Sequence, residues 1–439
     1  MKIRANTLQW EVTCNPEHCG AIIMAPLPEG EVSGWVDSPN DRGTIDIIWG
    51  CCLVLSTALW TVLHLNIPAP DDSLWTVLWR KLRWGTFAIL APDMLVGFSA
   101  MQYESAQESV RDMHRLGYKE WTLKHAFYAN SGGFVLQSTD YPPFPITAAS
   151  IHYLVETHHI DCPTITAEEI WDKSKADTFA KCVALVQGVW LVVQSIARAV
   201  QGLAVSPLEL FTIAFVLSTI TTYYFWMHKP QSVGVPTVIE LKSGSVNGLI
   251  NSAGEIGVEP FRETPLDFLE KPHQRWHRRP TLENLRPHKS PLQRMPDDKI
   301  VFNGLSQRTW ILVSIQAMVH PAVHLLGWNH VFPTSTEQLM WRIMSVFLAS
   351  GLPLSSMLRI TLTALGFDGH QSLTWIWVQP SGKEEKGWRA WVLDVVMSFI
   401  SACLVPARLF IIIEAFISLR QLPSSSYVTV EWTSFIPHV

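Results

Sequence analysis

Residues 84–104 read WGTFAILAPDMLVGFSAMQYE, and this stretch decides the fold class of the chain. The run is apolar enough to lie in a bilayer, yet it contains carboxylates at Asp93 and Glu104. A hydrocarbon core of ~30 Å takes about 20 apolar residues per helix, and a charged side chain at the centre of such a helix costs about 2.5–3.5 kcal/mol. Each of the two acids therefore needs a physical reason.

The composition of the whole chain indicates a membrane protein with several such helices. Of 439 residues, 48% are hydrophobic and 16% are charged, whereas soluble domains carry about 25% charge. The tryptophans cluster at the ends of apolar runs, as in the aromatic belts of membrane proteins. We predict an all-α polytopic bundle, with the lipid bilayer as a partner and about seven transmembrane helices at residues 44–65, 85–103, 178–201, 207–227, 309–329, 338–366 and 389–418.

These helices divide the chain into five regions. We predict an N-terminal cytosolic segment (1–43), a four-helix membrane region (44–227) with a cytosolic or interfacial insert (104–177), a flexible basic cytosolic loop (228–308), a three-helix membrane region (309–418) and a C-terminal tail (419–439). Within the insert, the stretch 121–137 is predicted to be interfacial or re-entrant.

The orientation follows from the positive charges. The Lys and Arg residues of the 228–308 loop place it on the cytosolic side. Counting helices outward from this loop places the N-terminus in the cytosol and the C-terminus in the lumen. The basic run RKLR at 80–83 disagrees with this scheme, because it falls on the luminal side. The N-terminus has no apolar h-region, so we expect no cleavable signal peptide and an integral protein of the endoplasmic reticulum.

Two helix starts are marked by capping boxes, in which a hydroxyl is followed three residues later by Glu. They are TAEE at 166–169 and SPLE at 206–209, and Pro207 at the first helical position strengthens the second. Glu209 is therefore interpreted as the cap of its own helix rather than as a catalytic acid.

Asp93 is the leading candidate for chemistry. It follows Pro92, which frees a backbone carbonyl and lets a helix open where a cavity is lined. Burial favours the neutral carboxyl, which could then donate its proton. The alternative is a structural role, with Arg198, Arg359 or Arg408 on a neighbouring helix as its partner.

Further residues could support this acid or line its cavity. Glu104 lies three turns after Asp93 on one helical face, and His125 has the side chain most easily tuned near neutral pH. We predict these two as supporting catalytic residues. Substrate-binding candidates are His64 and Asn66, before Pro68, and the aromatic residues Tyr103, Tyr128, Trp60 and Phe134. For each of these residues, helix capping, core packing or membrane anchoring is the alternative interpretation.

A metal or cofactor is not expected. His320 and His324 lie four residues apart on an apolar helix, a feasible spacing for two metal ligands, but no carboxylate nearby completes a site. A DDxxD-type aspartate cluster, which a magnesium-bound diphosphate would need, does not occur on a membrane helix. Ionisation of a prenyl diphosphate is therefore disfavoured.

Several short motifs give the chain a resemblance to a known group. They are GWV at 34–36, RGTIDIIWGC at 42–51, HLNIP at 64–68, AP and an acid at 91–93, GGF at 132–134, DKSKAD at 172–177 and WMHKP at 226–230. In these motifs the chain resembles fungal multi-helix membrane proteins, a set that includes the integral-membrane terpene cyclases of meroterpenoid pathways, of the ascofuranone and macrophorin type. It departs from them at residue 93, where aspartate stands in place of the more usual glutamate.

The resemblance implies a secondary-metabolism enzyme of the isomerase or lyase type. Such a cyclase protonates the terminal olefin or epoxide of a lipophilic prenylated substrate and closes rings without metal. Aromatic faces stabilise the carbocation by about 0.5–2 kcal/mol each. The expected partners are this substrate and, in some cases, pathway enzymes, but no nucleic acid. Two alternatives stay open: a membrane O-acyltransferase that uses His320 or His324, and a non-enzymatic transporter or scaffold.

Overall fold

The computed structural model describes residues 30–38, 41–174, 178–252, 263–266, 269, 290–297, 305–364 and 388–435. Twelve α-helices occur in these ranges: α1 Thr44–Val62, α2 Leu74–Leu90, α3 Pro92–Arg115, α4 Leu123–Asn130, α5 Ala148–Glu156, α6 Ala167–Lys173, α7 Thr178–Val200, α8 Pro207–Trp226, α9 Val246–Ser252, α10 Gln307–Leu325, α11 Ser335–Ala364 and α12 Trp388–Ile417. The same ranges contain five short strands: β1 Glu31–Ser33, β2 Phe134–Gln137, β3 Phe144–Pro145, β4 Thr237–Glu240 and β5 Gln421–Pro423.

The protein is mainly helical, and several helices suit a membrane. In the described part of the chain, four stretches are long and apolar enough to cross one: Thr44–Val62, Phe179–Val200, Pro207–Trp226 and Ala402–Arg420. A fifth span results if α2 and α3 are counted together. Helices α10 and α11 lie close to the predicted positions but are not among these spans. The expected count of seven is therefore not confirmed.

Both predicted capping boxes are confirmed. The Thr166 side chain accepts a hydrogen bond from the Glu169 amide, and Glu169 accepts one from the Thr166 amide. Ser206 and Glu209 repeat this exchange at the start of α8. Glu209 also forms an ion pair of 2.5 Å with Arg42, so its carboxylate is fully used in structure.

The predicted helix at 85–103 is wrong, because the chain breaks at Ala91. Helix α2 ends at Leu90, α3 begins with Pro92, and the two axes differ by 113°. Proline has no N–H to continue the hydrogen bonds of α2, but it suits the first position of a new helix. The break therefore creates a corner whose tip consists of Ala91, Pro92 and Asp93. We call these three residues the hairpin tip.

Helices α1 and α8 run in the same direction and define the two ends of the bundle. The Tyr223 hydroxyl donates to Thr61 near the C-terminal ends of both helices. At their N-terminal ends, Arg42 binds Glu209. The two ends can therefore be named by these contacts, as the Thr61 end and the Arg42 end.

Both limbs of the α2–α3 corner return to the Thr61 end. On α2, Lys81 Nζ lies 3.9 Å from the centre of the Trp60 ring, close to the end of α1. On α3, Gln102 Oε1 accepts a hydrogen bond of 2.9 Å from Trp226 Nε1, at the end of α8. Helices α2 and α3 therefore form a re-entrant hairpin, and only its tip reaches into the bundle.

This hairpin changes the orientation scheme. The segment before α1 lies at the Arg42 end, whereas the loop after α8 begins at the Thr61 end. We had expected both on the cytosolic side, but they lie at opposite ends of the bundle. The RKLR run at 80–83 now lies on the same side as the basic loop, which removes the disagreement seen in the sequence.

A small α/β domain covers the Thr61 end. It consists of α4, α5, α6 and α9 around a sheet of order β3-β2-β4, in which β2 is antiparallel to β3 and parallel to β4. Its apolar core includes Tyr128, Phe134, Leu136, Ile151 and Leu249. A Cβ added at Gly133 would lie 2.4 Å from the Tyr128 ring, so this close approach requires glycine.

The α/β domain corrects two predictions. The stretch 121–137, expected to be interfacial or re-entrant, forms α4 and β2 inside a folded domain. The region 228–308, expected to be a flexible loop, supplies β4 and α9 to the same domain. Residues 253–262 and 270–289 of that region lie outside the described residues, as does most of the predicted segment 1–43.

The Arg42 end is closed by the C-terminal segment. Strand β5 pairs antiparallel with β1, so that Val32 lies opposite Leu422. The Arg198 guanidinium donates to the backbone carbonyls of Ala204, Ser425, Ser426 and Val428. Arg198 therefore fixes the tail and does not contact Asp93.

Candidate functional site

The hairpin tip places Asp93 against Arg408 of α12. Arg408 Nη2 donates to Asp93 Oδ2 at 3.0 Å, and both side chains are largely buried. Three arginines could have been its partner according to the sequence. The structure assigns Arg408, while the side chain of Arg359 lies outside the described residues.

The same guanidinium reaches His320 on α10. Arg408 Nη1 hydrogen-bonds to Nε2 of His320, and Nδ1 of His320 lies 2.8 Å from both the Ala214 carbonyl oxygen and Ser218 Oγ. Because a guanidinium can only donate, Nε2 must accept and Nδ1 must carry the proton. His320 is therefore a neutral imidazole that holds Arg408 in place.

A chain of polar side chains continues from His320 along α8 and α10. Gln316 Nε2 donates to Ser218 Oγ at 2.9 Å, and Thr221 donates to Gln316 Oε1 at 3.0 Å. We call the set Asp93, Arg408, His320, Ser218 and Gln316 the Asp93 cluster. It joins the hairpin tip to α8, α10 and α12.

The cluster is almost closed to solvent, and its hydrogen bonding is incomplete. His320 is 0% exposed and Arg408 is 5% exposed. Within the described ranges, Asp93 Oδ1 is buried without a hydrogen-bond partner, and so are both ring nitrogens of His324. His324 is enclosed by Phe211 and Trp341. The free Oδ1 is the one carboxylate atom of the cluster that could address another molecule.

Glu104 is not part of this cluster. Its Oε1 accepts hydrogen bonds from Ser306 at 2.5 Å and from Thr309, at the first turn of α10. A carboxylate at this position stabilises a helix N-terminus. Asp93 and Glu104 share α3, but eleven residues separate them by about 16 Å along the axis. The two predicted carboxylates therefore act at separate places.

His125, Tyr128 and Phe134 lie in the α/β domain. His125 Nε2 lies 2.8 Å from the Ile165 carbonyl oxygen, and its Nδ1 lies 2.9 Å from the Thr122 hydroxyl. Burial, as the largest cause, lowers the pKa of His125. Tyr128 and Phe134 pack edge to face in the domain core, at 5.0 Å between ring centres. The structure does not bring these three residues to Asp93.

His64 and Asn66 lie at the junction between the bundle and the α/β domain. His64 Nδ1 is 2.8 Å from the Val62 carbonyl oxygen, and its Nε2 is 3.0 Å from Lys181 Nζ. The Asn66 side chain instead donates a hydrogen bond of 2.8 Å to the Pro296 carbonyl oxygen. The two residues predicted at a cavity mouth are therefore near each other but have different partners.

The last two aromatic candidates have different surroundings. Tyr103 packs against Phe225 of α8, with 5.7 Å between ring centres, on the limb of the hairpin that carries Asp93. Trp60 is 55% exposed on α1 and lies beneath Lys81. Tyr103 thus lies next to Gln102 at the junction end of α3, whereas Trp60 faces outward.

The structure also adds residues that had no assigned role in the sequence. Lys229 and Trp226 belong to the WMHKP motif, and both hydrogen-bond to Gln102 Oε1 at 2.9 Å. Lys181 contacts His64 of the HLNIP motif. The unusual polar residues beside helix ends were a signal for this junction, but no spacing rule connects segments so distant in sequence.

Comparison with known proteins gives a family but no named relative. Residues 22–258 and 306–439 match the sequence profile described as "Family of unknown function (DUF8562)". Searches among curated proteins and among solved structures found no match. The matched segments contain the hairpin, the α/β domain and every helix of the bundle. Because they cover most of its length, the chain belongs to the DUF8562 family.

Proposed function

We propose that the protein is a membrane-bound terpene cyclase that protonates the terminal olefin or epoxide of a prenylated substrate. The observation that carries this proposal is the hairpin tip, which presents Asp93 to the interior of an apolar bundle with Arg408 on one carboxylate oxygen only. An acid used on a lipophilic substrate must be reached from an apolar environment. The resemblance of the short motifs to meroterpenoid cyclases agrees with this assignment.

Each member of the cluster has a role in this reaction. The protonated form of Asp93 is the proton donor, and the oxygen that has no partner in the described residues carries the proton. Arg408 stabilises the carboxylate that remains, and such stabilisation is strong in a site that excludes water. This makes Asp93 a stronger acid at the moment of transfer. In the described residues, the ring nitrogens of His320 bind Arg408 and the α8 groups, so His320 is a positioning residue.

The chemistry balances without a cosubstrate. The Asp93 proton adds to the less substituted carbon of the terminal olefin, whose π bond breaks, or to the epoxide oxygen, whose bond to the more substituted carbon breaks. In both cases a carbocation forms at the more substituted carbon. The π-electrons of the next double bond then form the ring bond and move the cation along the chain. The final cation loses a proton to water, which ends the sequence, and Asp93 takes up a proton from solvent before the next turnover. The product is therefore an isomer of the substrate.

The site also supports a location and an orientation. An integral protein of the endoplasmic reticulum would meet its substrate in the bilayer. We place the Thr61 end, with the RKLR run and the basic loop, in the cytosol, following the positive-inside rule. Both the segment before α1 and the C-terminal tail then lie on the luminal side.

A transporter is the second candidate, favoured by the broken helix. Interrupted helices and buried ionisable residues are typical of substrate sites in transporters. The acyltransferase hypothesis has less support, because both ring nitrogens of His320 are occupied and His324 is 0% exposed. A transporter would move its cargo chemically unchanged.

The test is an assay in microsomes that contain the wild type, Asp93→Asn or Asp112→Asn. Each is given a farnesylated phenol and its terminal epoxide, and products are resolved by mass and NMR. Asp112 lies on the same helix, is paired with Arg115 at the surface, and serves as the matched control. We expect a cyclised isomer from the wild type and from Asp112→Asn but not from Asp93→Asn. The same isomer from Asp93→Asn, or none from any sample, would reject the proposal.

A further inference from the structure

Three lysines converge on His64 at the junction between the bundle and the α/β domain. Lys181 Nζ is 3.0 Å from His64 Nε2. Lys229 Nζ is 4.9 Å from the centre of the Trp226 ring, which lies 5.6 Å from the His64 ring. Burial, together with Lys181, Lys229 and Lys81, keeps the pKa of His64 well below its ordinary value. We call Lys81, Lys181 and Lys229 the lysine cluster.

The lysine cluster has more positive charge than its surroundings balance. Within the described residues, none of the three ammonium groups has a carboxylate within 4.0 Å. The acid that interacts with Lys229 is Asp297, but both of its oxygens are bound by Arg80, at 2.6 and 2.9 Å. Asp72 is likewise 3.7 Å from Arg80. In the described part of the chain, the two carboxylates near the lysine cluster are therefore already engaged by Arg80.

Lys229 shows how unusual this arrangement is. The side chain is 3% exposed, and its Nζ donates to the Gln102 Oε1 atom at 2.9 Å. Burial of an ammonium without a counter-ion is costly, and buried charges in proteins are normally paired. An anion bound at this place would supply the missing counter-charge to all three lysines. A purely structural role for Lys229 would not require Lys181 and Lys81 to act on the same histidine, His64.

The cluster also lies at the right depth for an amphiphile. The outer face of α2 carries the exposed apolar side chains Leu74, Trp75 and Trp79, as expected where a helix contacts the lipid interface. Gln102, which binds Lys229, follows Asp93 of the hairpin tip by nine residues of α3, or about 14 Å along the axis. An extended isoprenoid chain has a comparable length.

We propose that the lysine cluster binds the carboxylate or phenolate head group of the prenylated substrate, whose chain runs along α3 and places its terminal olefin at Asp93. This inference rests on the proposed function and adds to it the place where the acidic head group of the substrate is bound. Binding of the head group would also fix the position of the isoprenoid chain relative to Asp93. Binding energy far from the reacting atoms often serves catalysis in this way.

The test compares two probes that differ only in charge: 3-farnesyl-4-hydroxybenzoic acid and its methyl ester. Binding to the full-length protein in phosphatidylcholine nanodiscs is measured by tryptophan fluorescence. We expect the acid to bind about tenfold more tightly than the ester, an increment of about 1.4 kcal/mol. Lys181→Met should abolish the difference, and Lys181→Arg should retain it. Lys119→Met, at an exposed position, is the control and should behave as the wild type.

Two outcomes would overturn the head-group site. One is equal binding of acid and ester by the wild type, and the other is an unchanged preference in Lys181→Met. Nanodiscs that contain phosphatidic acid test the bilayer as a source of the anion. We expect no competition, whereas displacement of the acid probe that depends on Lys181 would assign the site to a bilayer lipid instead of the substrate.

The failure of this inference can be told apart from failure of the cyclase proposal. Asp93→Asn should keep the preference for the acid probe, because the lysine cluster is intact. A protein that prefers the acid but forms no isomer has the head-group site without the proposed reaction. Equal cyclisation of acid and ester, unchanged in Lys181→Met, would leave the reaction and remove the site.

Discussion

Asp93 and His320 are held by the same guanidinium: Arg408 donates from Nη2 to the carboxylate and from Nη1 to the imidazole. The two residues support different enzymatic hypotheses in the sequence, a cyclase and an acyltransferase. In the structure they belong to one cluster, so loss of activity on substitution of either would not distinguish the hypotheses. The distinction must come from the kind of replacement that each position tolerates.

Removing Arg408 should destabilise the protein more than removing the whole ion pair. Arg408→Met leaves Asp93 buried without a counter-charge, and breaking a buried pair on one side costs about 3–5 kcal/mol. The double variant Asp93→Asn/Arg408→Met removes both charges and should recover most of that loss. The unfolding temperatures of the wild type, both single variants and the double variant are measured in detergent by fluorescence. Additive losses in the double variant would show that the two side chains are not coupled.

His320→Gln should retain much of the activity that His320→Ala loses. A glutamine amide can accept from Arg408 and donate to the α8 groups, whereas alanine leaves the guanidinium free to move. Misplacement of catalytic groups by about 1 Å can cost about 100-fold, so we expect kcat to fall by about 10- to 100-fold in His320→Ala with KM nearly unchanged. An acyltransferase base could not be replaced by glutamine, and equal inactivity of both variants would contradict the positioning role.

Glu104 should contribute to stability and not to the reaction. Its carboxylate accepts from Ser306 and Thr309 at the N-terminus of α10, and such capping contacts contribute about 0.5–2 kcal/mol. We expect Glu104→Ala to lower the unfolding temperature while its kcat, measured well below that temperature, equals that of the wild type. Glu104→Gln keeps an acceptor and should lose less stability. A selective loss of kcat in a stable Glu104→Gln protein would place Glu104 in the catalytic machinery.

Lys229 should make the protein more stable as the pH rises above neutral. Burial, as the main cause, lowers the pKa of Lys229 to about 7, although Asp297 raises it and Arg80 lowers it. An unfolded lysine has a pKa of about 10.4, so between pH 7 and about 10 the unfolded state binds more protons at this site, and the folded state gains stability with pH. Asp297, Arg80 and His64, the charged and titratable groups that interact with Lys229, are present in both proteins compared below.

The measurement for Lys229 is the difference in unfolding temperature between the wild type and Lys229→Met from pH 6 to 9. The variant removes the buried charge, so we expect it to be the more stable protein at pH 6 and to lose this advantage as the pH rises. Lys242→Met is the control, because Lys242 lies at the surface in an ion pair with Asp161. A difference that does not change with pH would show that Lys229 keeps an ordinary pKa.

The sequence predicted the apolar helices well and their connection in space less well. Runs of apolar residues located α1, α7, α8, α10, α11 and α12 close to their observed limits, because burial in lipid leaves a strong signal in composition. The stretch 85–103 has the same composition, but Pro92 starts a new helix there, and hydropathy does not record a change of direction. One missed corner was enough to reverse the side on which the N-terminal segment lies.

The candidate site could likewise be predicted only in part from the sequence. Asp93 could be selected from sequence because an acid in an apolar run is unusual, whereas its partner could not, since three arginines were equally plausible and Arg408 is 315 residues away. The junction is harder still, because Lys181 and Lys229 meet His64 only after the hairpin and the α/β domain have formed. Strands β2 and β4, which pair across about a hundred residues, have too little periodicity to predict this domain.

The α2–α3 hairpin predicts a membrane topology that differs from the one expected if α2 and α3 together crossed the membrane once. If α2–α3 crossed the membrane once, the segment before α1 and the loop after α8 would lie on the same side. In the structure they lie at opposite ends, as the contacts of Arg42 with Glu209 and of Tyr223 with Thr61 require. Glycosylation acceptor sites inserted before β1 and in the turn between β2 and β3 report the side of each segment in microsomes. We expect glycosylation before β1 only, since we propose that the Thr61 end, which carries the α/β domain, faces the cytosol. Glycosylation of the β2–β3 turn alone would invert the orientation but keep the hairpin, whereas the same result at both positions would show that α2–α3 spans the membrane.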